Sequence, residues 1–147
     1  MPASIKLTSQ ELGLIQIFQK ESGATARDCI IDDKMDRIIF VINKGEMGLA
    51  IGKGGQSIRN AQRIVGRAVE LVEHSDDVKE FIRNSLDPKL VNEVRVTERL
   101  DGKKMATVVV DEKKKGALLG RNGRNAERAR LLAKRYFDVS NIHIVHQ

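Results

Sequence analysis

The chain is short of cysteine, proline and aromatic residues. Its 147 residues include one cysteine, two prolines, one tyrosine and no tryptophan, and aromatics make up 3%. A lone Cys29 excludes an internal disulfide framework, and its apolar neighbours Ile30 and Ile31 mark it as a buried thiol. So few rings exclude stacking platforms of the RRM or OB type, which hold bases on exposed aromatics. The one tyrosine, Tyr136, aligns with Ala68 in an internal repeat, a position expected to be buried. No apolar stretch approaches the roughly 20 residues of a membrane span. The N-terminus lacks the basic-then-apolar run of a signal peptide. The expectation is a cytoplasmic protein with no membrane partner.

Chemistry-bearing patterns are scarce too. No Ser-His-Asp or paired-carboxylate constellation can be assembled from the spacing, and the phosphate-loop pattern GxxxxGK[ST] is absent. His143 and His146 lie three apart in or after a strand, where side chains alternate faces, so they do not converge on one ion. The reading is a non-enzyme with no metal and no cofactor.

Charge is plentiful. Charged residues make up 31% and the net charge is +6, which points to an anionic partner. The excess is uneven. Residues 1–75 carry 10 basic and 9 acidic groups, and residues 76–147 carry 16 and 11. Residues 102–135 alone hold 11 basic and 3 acidic groups.

The most informative feature is a repeat 68 positions apart. Gly48-Leu49-Ala50-Ile51-Gly52-Lys53-Gly54-Gly55 matches Gly116-Ala117-Leu118-Leu119-Gly120-Arg121-Asn122-Gly123. The halves align without a gap from about residue 27 to residue 72: Arg27 falls on Arg95, Val41 on Val109, Ala61 on Ala129 and Arg67 on Arg135. Matched patterning with few identities indicates an old duplication. It divides the chain into domains 1–75 and 76–147. The boundary near His74 and Asp76 has no flexible linker, so two rigidly apposed halves sharing an apolar interface are expected.

Each half reads as helix, strand, strand, short helix, loop, helix, strand. In the first, Ser9 caps a helix over 9–22 with Leu12, Ile15 and Phe18 on one face. Strands follow at 27–31 and 38–42, then a short helix at 46–51. A helix over 56–65 turns Ile58, Ala61, Ile64 and Val65 inward, and a strand covers 68–72. In the second, Asp76 or Asp77 caps a helix that ends before Pro88, with Val78, Phe81 and Ile82 buried. Strands at 91–96 and 105–110 meet at Asp101-Gly102, a hairpin signal. Helices at 113–119 and 124–135 and a strand at 142–145 complete it. The fold class is α+β: in each half a hairpin and one parallel pair make a small mixed three-stranded sheet with helices on one face.

A loop between two helices with glycine at both ends turns tightly and admits another chain without Cβ interference. The following helix begins there, so its unpaired N–H groups and positive dipole end face the loop, a natural place for a phosphate. Lys53 and Arg121 add a cation to each loop. Two copies in matched context carry far more weight than one.

Ile51-Gly52-Lys53-Gly54-Gly55-Gln56-Ser57-Ile58 resembles the signature of the KH family of RNA-binding domains, and Leu119-Gly120-Arg121-Asn122-Gly123-Arg124-Asn125-Ala126 is a close variant. With a helix and two strands before the first short helix, each half resembles the type II arrangement. The order of halves and the run Lys53 to Ala61 resemble the NusA family of transcription termination and antitermination factors, in its short archaeal form of two KH units. The polymerase-binding N-terminal region and S1 domain of bacterial members have no counterpart in this sequence. The resemblance implies that each loop clamps about four nucleotides of single-stranded RNA against a sheet edge. Ile51 and Leu119 are then placed to contact bases, and Lys53 and Arg121 to meet phosphates. Gly52, Gly54 and Gly55, with Gly120, Asn122 and Gly123, shape the loops. Arg59 joins the first site. Arg124 and Arg128, with Arg135, form a stripe on the last long helix beside Leu131. Lys113-Lys114-Lys115 adds a basic patch that Lys44-Gly45-Glu46-Met47 shows is not needed for the fold. RNA polymerase or another transcription factor is the candidate protein partner, and a monomer is expected. The alternative is a structural ribonucleoprotein component, such as a KH-containing ribosomal protein; the long basic tails of that class are missing. A phosphate-site enzyme using the loops as anion holes lacks a general acid or base.

Overall fold

A computed structural model describes residues 5–147, which divide into two compact units, Ile5–His74 and Ser75–Gln147. In the first unit, α1 (Ser9–Ser22) opens with a capping box. The Thr8 hydroxyl accepts from the Glu11 N–H at 3.1 Å, and the Glu11 carboxylate accepts from the Thr8 N–H at 2.7 Å. The cap is therefore one residue earlier than the expected Ser9, because only Thr8 has a glutamate three residues on. Then come β1 (Ala26–Asp32) and β2 (Arg37–Ile42), α2 (Met47–Ile51), α3 (Gln56–Val65) and β3 (Ala68–Glu73). Strand β2 runs antiparallel to β1 and parallel to β3, giving the order β1-β2-β3. Every residue of this central strand is buried.

The core of the unit is built on Phe18 and Phe40, whose rings stack 4.6 Å apart, with Ile15, Ile38, Ile42, Ala50 and Ala61 around them. Two inward assignments do not hold. Leu12 is 46% exposed and Leu14 packs against the core instead; Ile64 is 53% exposed. On α3 the buried line is Ile58–Ala61–Val65, and Ile64 lies about 100° around the axis from Val65. Ala68, expected to be buried, is exposed at the start of β3.

Arg37 is the largest fully buried side chain. Its Nε donates to Asp32 Oδ2 at 2.8 Å and its Nη1 to Glu70 Oε1 at 3.0 Å. Burial pushes the Asp32 carboxyl up. The Arg37 hydrogen bond and charge, with the Met35 and Lys34 N–H groups, outweigh it and hold that carboxyl below its ordinary range. A carboxylate depressed on folding stabilises the fold above its unfolded pKa, about 3.9, and that contribution is lost as pH falls through the folded value. The urea midpoint of the first unit is expected to drop below about pH 4 more steeply in the parent than in Asp32→Asn. Parallel pH profiles for the two would contradict this linkage.

In the second unit, Asp77 caps α4 (Val78–Ser85), its carboxylate accepting from the Glu80 N–H. The hairpin of β4 (Val91–Glu98) and β5 (Lys104–Val110) closes with Gly102 at φ 85° and the Arg99 N–H donating to the Lys103 carbonyl. Next come α5 (Lys115–Leu119), α6 (Arg124–Phe137) and β6 (Val139–His146), in the sheet order β4-β5-β6 with β5 and β6 parallel. The core gathers Ile82, Val94, Ala106, Val108, Leu118, Ala129 and Ile142. Phe81 packs edge-on against Tyr136 at 4.9 Å.

The constant offset between the halves breaks in α6, which has 14 residues where α3 has 10. Gly66, left-handed at φ 75°, stops α3; the aligned position in the second unit is Lys134, and the helix runs on until Asp138 adopts the left-handed cap at φ 58°. Strand β6 therefore begins late, and Asn141 rather than Tyr136 takes the place of Ala68 beside the central strand. Among the described residues no helix is long and apolar enough to cross a membrane, and no cluster of His, Cys, Asp or Glu has metal-ligand geometry.

Candidate nucleic-acid interface

Each unit's loop grows out of a five-residue helix pinned to the core by a fully buried apolar side chain, Ala50 in α2 and Leu118 in α5. The helix ends where glycine turns the chain. The Gly52 N–H donates to the Gly48 carbonyl at 2.9 Å, and the Gly120 N–H to the Gly116 carbonyl at 3.2 Å. Gly52 sits at φ 80°, ψ 168° and Gly120 at φ 79°, ψ 170°, a region open only to glycine. A short 3-10 turn follows, Lys53–Gly55 or Arg121–Gly123, closed by the Gly55 N–H on the Gly52 carbonyl and the Gly123 N–H on the Gly120 carbonyl, each at 3.0 Å. Within it Gly54 (φ 62°, ψ 20°) and Asn122 (φ 57°, ψ 25°) take the same left-handed conformation. Asparagine tolerates it better than most side chains, which explains how the second loop does without its inner glycine.

A Cβ on Gly52 would lie 2.4 Å from Ser57 Oγ and 2.7 Å from the Ser57 nitrogen. Gly52→Ala is thus expected to cost about 1–3 kcal/mol in backbone strain, before the clash is counted. Thermal unfolding checks it; a midpoint unchanged from the parent would contradict the geometry.

The loops lead into α3 and α6, whose N-caps are Gly55 and Gly123. The Gln56 and Arg124 N–H groups bond back to the Lys53 and Arg121 carbonyls, and glycine has no side chain to cap the rest of the first turn, which faces the loop with the positive end of the helix dipole. Lys53 and Arg121 are exposed beside them. The combination can hold a phosphate by backbone N–H groups and a cation.

The other expected site residues divide. Ile51 is 42% exposed; Leu119 is half-buried. Leu49, which the sequence reading did not single out, is 54% exposed two residues before Ile51. Its signal was an apolar residue off the buried line of a short helix. Arg124 is half-buried at the start of α6. Arg128 is held within the fold: its Nε donates at 2.9 Å to the carbonyl of Ser85, the last residue of α4. Arg59 turns back on its own loop, with Nη1 donating to the Gly54 carbonyl at 2.6 Å. Lys113 and Lys114 are exposed in the turn before α5.

Comparison with known proteins matches this arrangement. A KH domain model fits residues 14–96, and a model of the NusA-like second KH domain fits residues 78–147. A protein of Halobacterium salinarum named probable transcription termination protein NusA is 38% identical over 141 residues, which span 96% of this chain and 99% of that relative. The chain belongs to the NusA family of KH-domain proteins. A NusA relative of the same name from Methanocaldococcus jannaschii is 33% identical over 143 residues, 97% of this chain and 76% of the relative. Among solved structures, the crystal structure of APE1850 is 36% identical, covers 95% of this chain and 100% of that one, and superposes with a TM-score of 0.84. As a NusA-family chain with two KH domains, the molecule carries the α+β class and the paired three-stranded sheets expected from its repeat.

Proposed function

We propose that this chain binds single-stranded RNA through its two GxxG loops and acts in transcription elongation and termination. The observation that carries the reading is the near-identity of the two loop backbones. Each is glycine-bounded, each carries an outward cation, and each opens onto the N-terminus of a longer helix. A clamp of that kind takes about four nucleotides by their backbone and leaves base edges free for contact. Leu49 and Ile51 in the first unit, and Leu119 in the second, lie beside the cations where bases would pass. The named relatives support the termination role. The chain acts as a cytoplasmic monomer without a catalytic step, and RNA polymerase or a second transcription factor is its protein partner. No observation favours a ribosomal component; co-purification with polymerase or nascent RNA, rather than with an assembled ribosomal subunit, separates the two.

Duplex RNA has its bases paired and its strands held in A-form, so it does not fit a single-strand clamp. Fluorescence anisotropy with matched single- and double-stranded oligonucleotides is expected to show at least about tenfold tighter binding of the single strand, a difference of about 1.4 kcal/mol. Equal affinities would remove the clamp reading.

A further inference from the structure

The two loops reach one backbone conformation from different sequences, and the difference lies in what holds them. The first has two consecutive glycines, Gly54 and Gly55, in the left-handed region. Glycine loses more conformational freedom on ordering than any other residue, so this segment needs an external restraint. Arg59, one turn into α3, supplies one. Its Nη1 donates to the Gly54 carbonyl at 2.6 Å and its Nη2 to Gln56 Oε1 at 3.3 Å. Gly55 leaves room for the guanidinium, since a Cβ there would lie 2.9 Å from Arg59 Nη1.

The second unit shows the converse. The position aligned with Arg59 is Glu127, whose carboxylate accepts from Arg130 Nη1 at 3.1 Å. A Cβ on Gly123 would meet nothing within 4 Å, so no side chain fills the equivalent space. The inner residue there is Asn122, which has fewer open conformations to lose than glycine.

We infer that Arg59 is a positioning residue that straps the first loop into its binding conformation, and that Asn122 replaces this strap in the second. The strap itself follows from the free protein. Its effect on affinity rests on the RNA-binding reading above. Arg59 then acts on RNA through the Gly54 and Gly55 backbone, not through a phosphate contact of its own.

The test uses the full chain with the second loop disabled by Arg121→Asp and Asn122→Asp, so that the first loop sets RNA affinity. Arg59→Lys keeps the charge but cannot make the two-pronged contact. It is expected to speed hydrogen exchange at the Gly55 amide in the free protein. It is also expected to weaken single-stranded RNA binding about five- to tenfold, the scale of ordering one or two residues. The slope of log affinity against log salt stays the same. Adding Gly54→Asn, which copies the second loop, is expected to restore slow exchange and bring affinity back to within about twofold of the disabled-loop background. Three results would overturn the strap: unchanged Gly55 exchange in Arg59→Lys, no rescue by Gly54→Asn, or parental binding by Arg59→Lys with a shallower salt slope only in Arg59→Ala. The last is the mark of a direct phosphate contact. If the unmodified chain binds no RNA, the proposed function fails, while the exchange comparison still judges the strap.

Discussion

Aspartates placed at both inner positions of a GxxG loop are expected to abolish most of that loop's RNA affinity and to leave the fold intact. In Lys53→Asp/Gly54→Asp and in Arg121→Asp/Asn122→Asp, one cation is lost and two carboxylates stand where a phosphate sits. Two unit charges 4 Å apart interact by about 1 kcal/mol in water and about 4 kcal/mol near a protein surface. Roughly 10- to 100-fold weaker binding per loop follows. The outer glycines remain, among them Gly52 and Gly120 in the glycine-only conformation. Aspartate at Gly54 or Asn122 enters a left-handed position that Asn122 and Asp138 already show to be tolerated. If about four phosphates are neutralised, log affinity should fall with log salt at a slope near −3, using roughly −0.7 per phosphate for single strands, and the slope should be shallower in each variant. The excess of positive charge in residues 102–135 predicts the larger non-specific loss for the second-loop variant. The first loop, with Leu49 and Ile51 exposed beside it, is expected to matter more for sequence preference. Variants that keep their circular dichroism and still bind RNA like the parent would take the loops out of the mechanism.

The second large effect is on stability. Arg37→Ala is expected to destabilise the first unit by about 3 kcal/mol, because it removes the buried cation between Asp32 and Glu70, whose side chains are only 13% and 17% exposed. The residual exposure lets water reach both carboxylates and keeps the cost at the lower end of the range for broken buried pairs. Arg37→Met combined with Asp32→Asn and Glu70→Gln removes all three charges and should recover much of the loss, since a stranded charge costs more than an absent pair. Urea unfolding followed by hydrogen exchange at β2 amides reads the first unit separately from the second. A loss under about 0.5 kcal/mol for Arg37→Ala, the scale of an ordinary surface change, would show that the buried triad does not hold the strand.

Several errors of the sequence reading share one cause. Periodicity puts Leu12 and Ile64 inward, yet on α1 Leu14 packs against the core while Leu12 stays exposed, and on the ten-residue α3 the line facing the sheet is Ile58, Ala61 and Val65. Arg128, on the basic stripe of α6, also bonds the Ser85 carbonyl at the end of α4, 43 positions away, a contact no local pattern shows. The constant offset aligns Tyr136 with Ala68, yet the second unit lacks the glycine that stops the first unit's helix, and α6 gains about a turn before Asp138 ends it. In each case the local pattern allowed more than one outcome and a distant contact chose.

What the amino-acid sequence determined by itself was everything that depends on local backbone chemistry. Glycines at 52, 55, 120 and 123 with a cation between them demand a tight, open loop, because only glycine enters the conformation of Gly52 and Gly120, and the left-handed turn at Gly55 and Gly123 favours it. Runs of β-branched residues demand strands, and their repetition 68 residues later demands a second copy of the same unit. The tertiary structure alone decided which charged side chains serve the fold and which stand exposed. Arg37, Arg59, Arg121 and Arg128 are the same residue type in the sequence. One is buried between two carboxylates, one straps its own loop, one stands exposed at a loop tip and one caps a neighbouring helix. A guanidinium on a long flexible stem takes its role from the acceptors that folding brings within reach, and those lie anywhere along the chain.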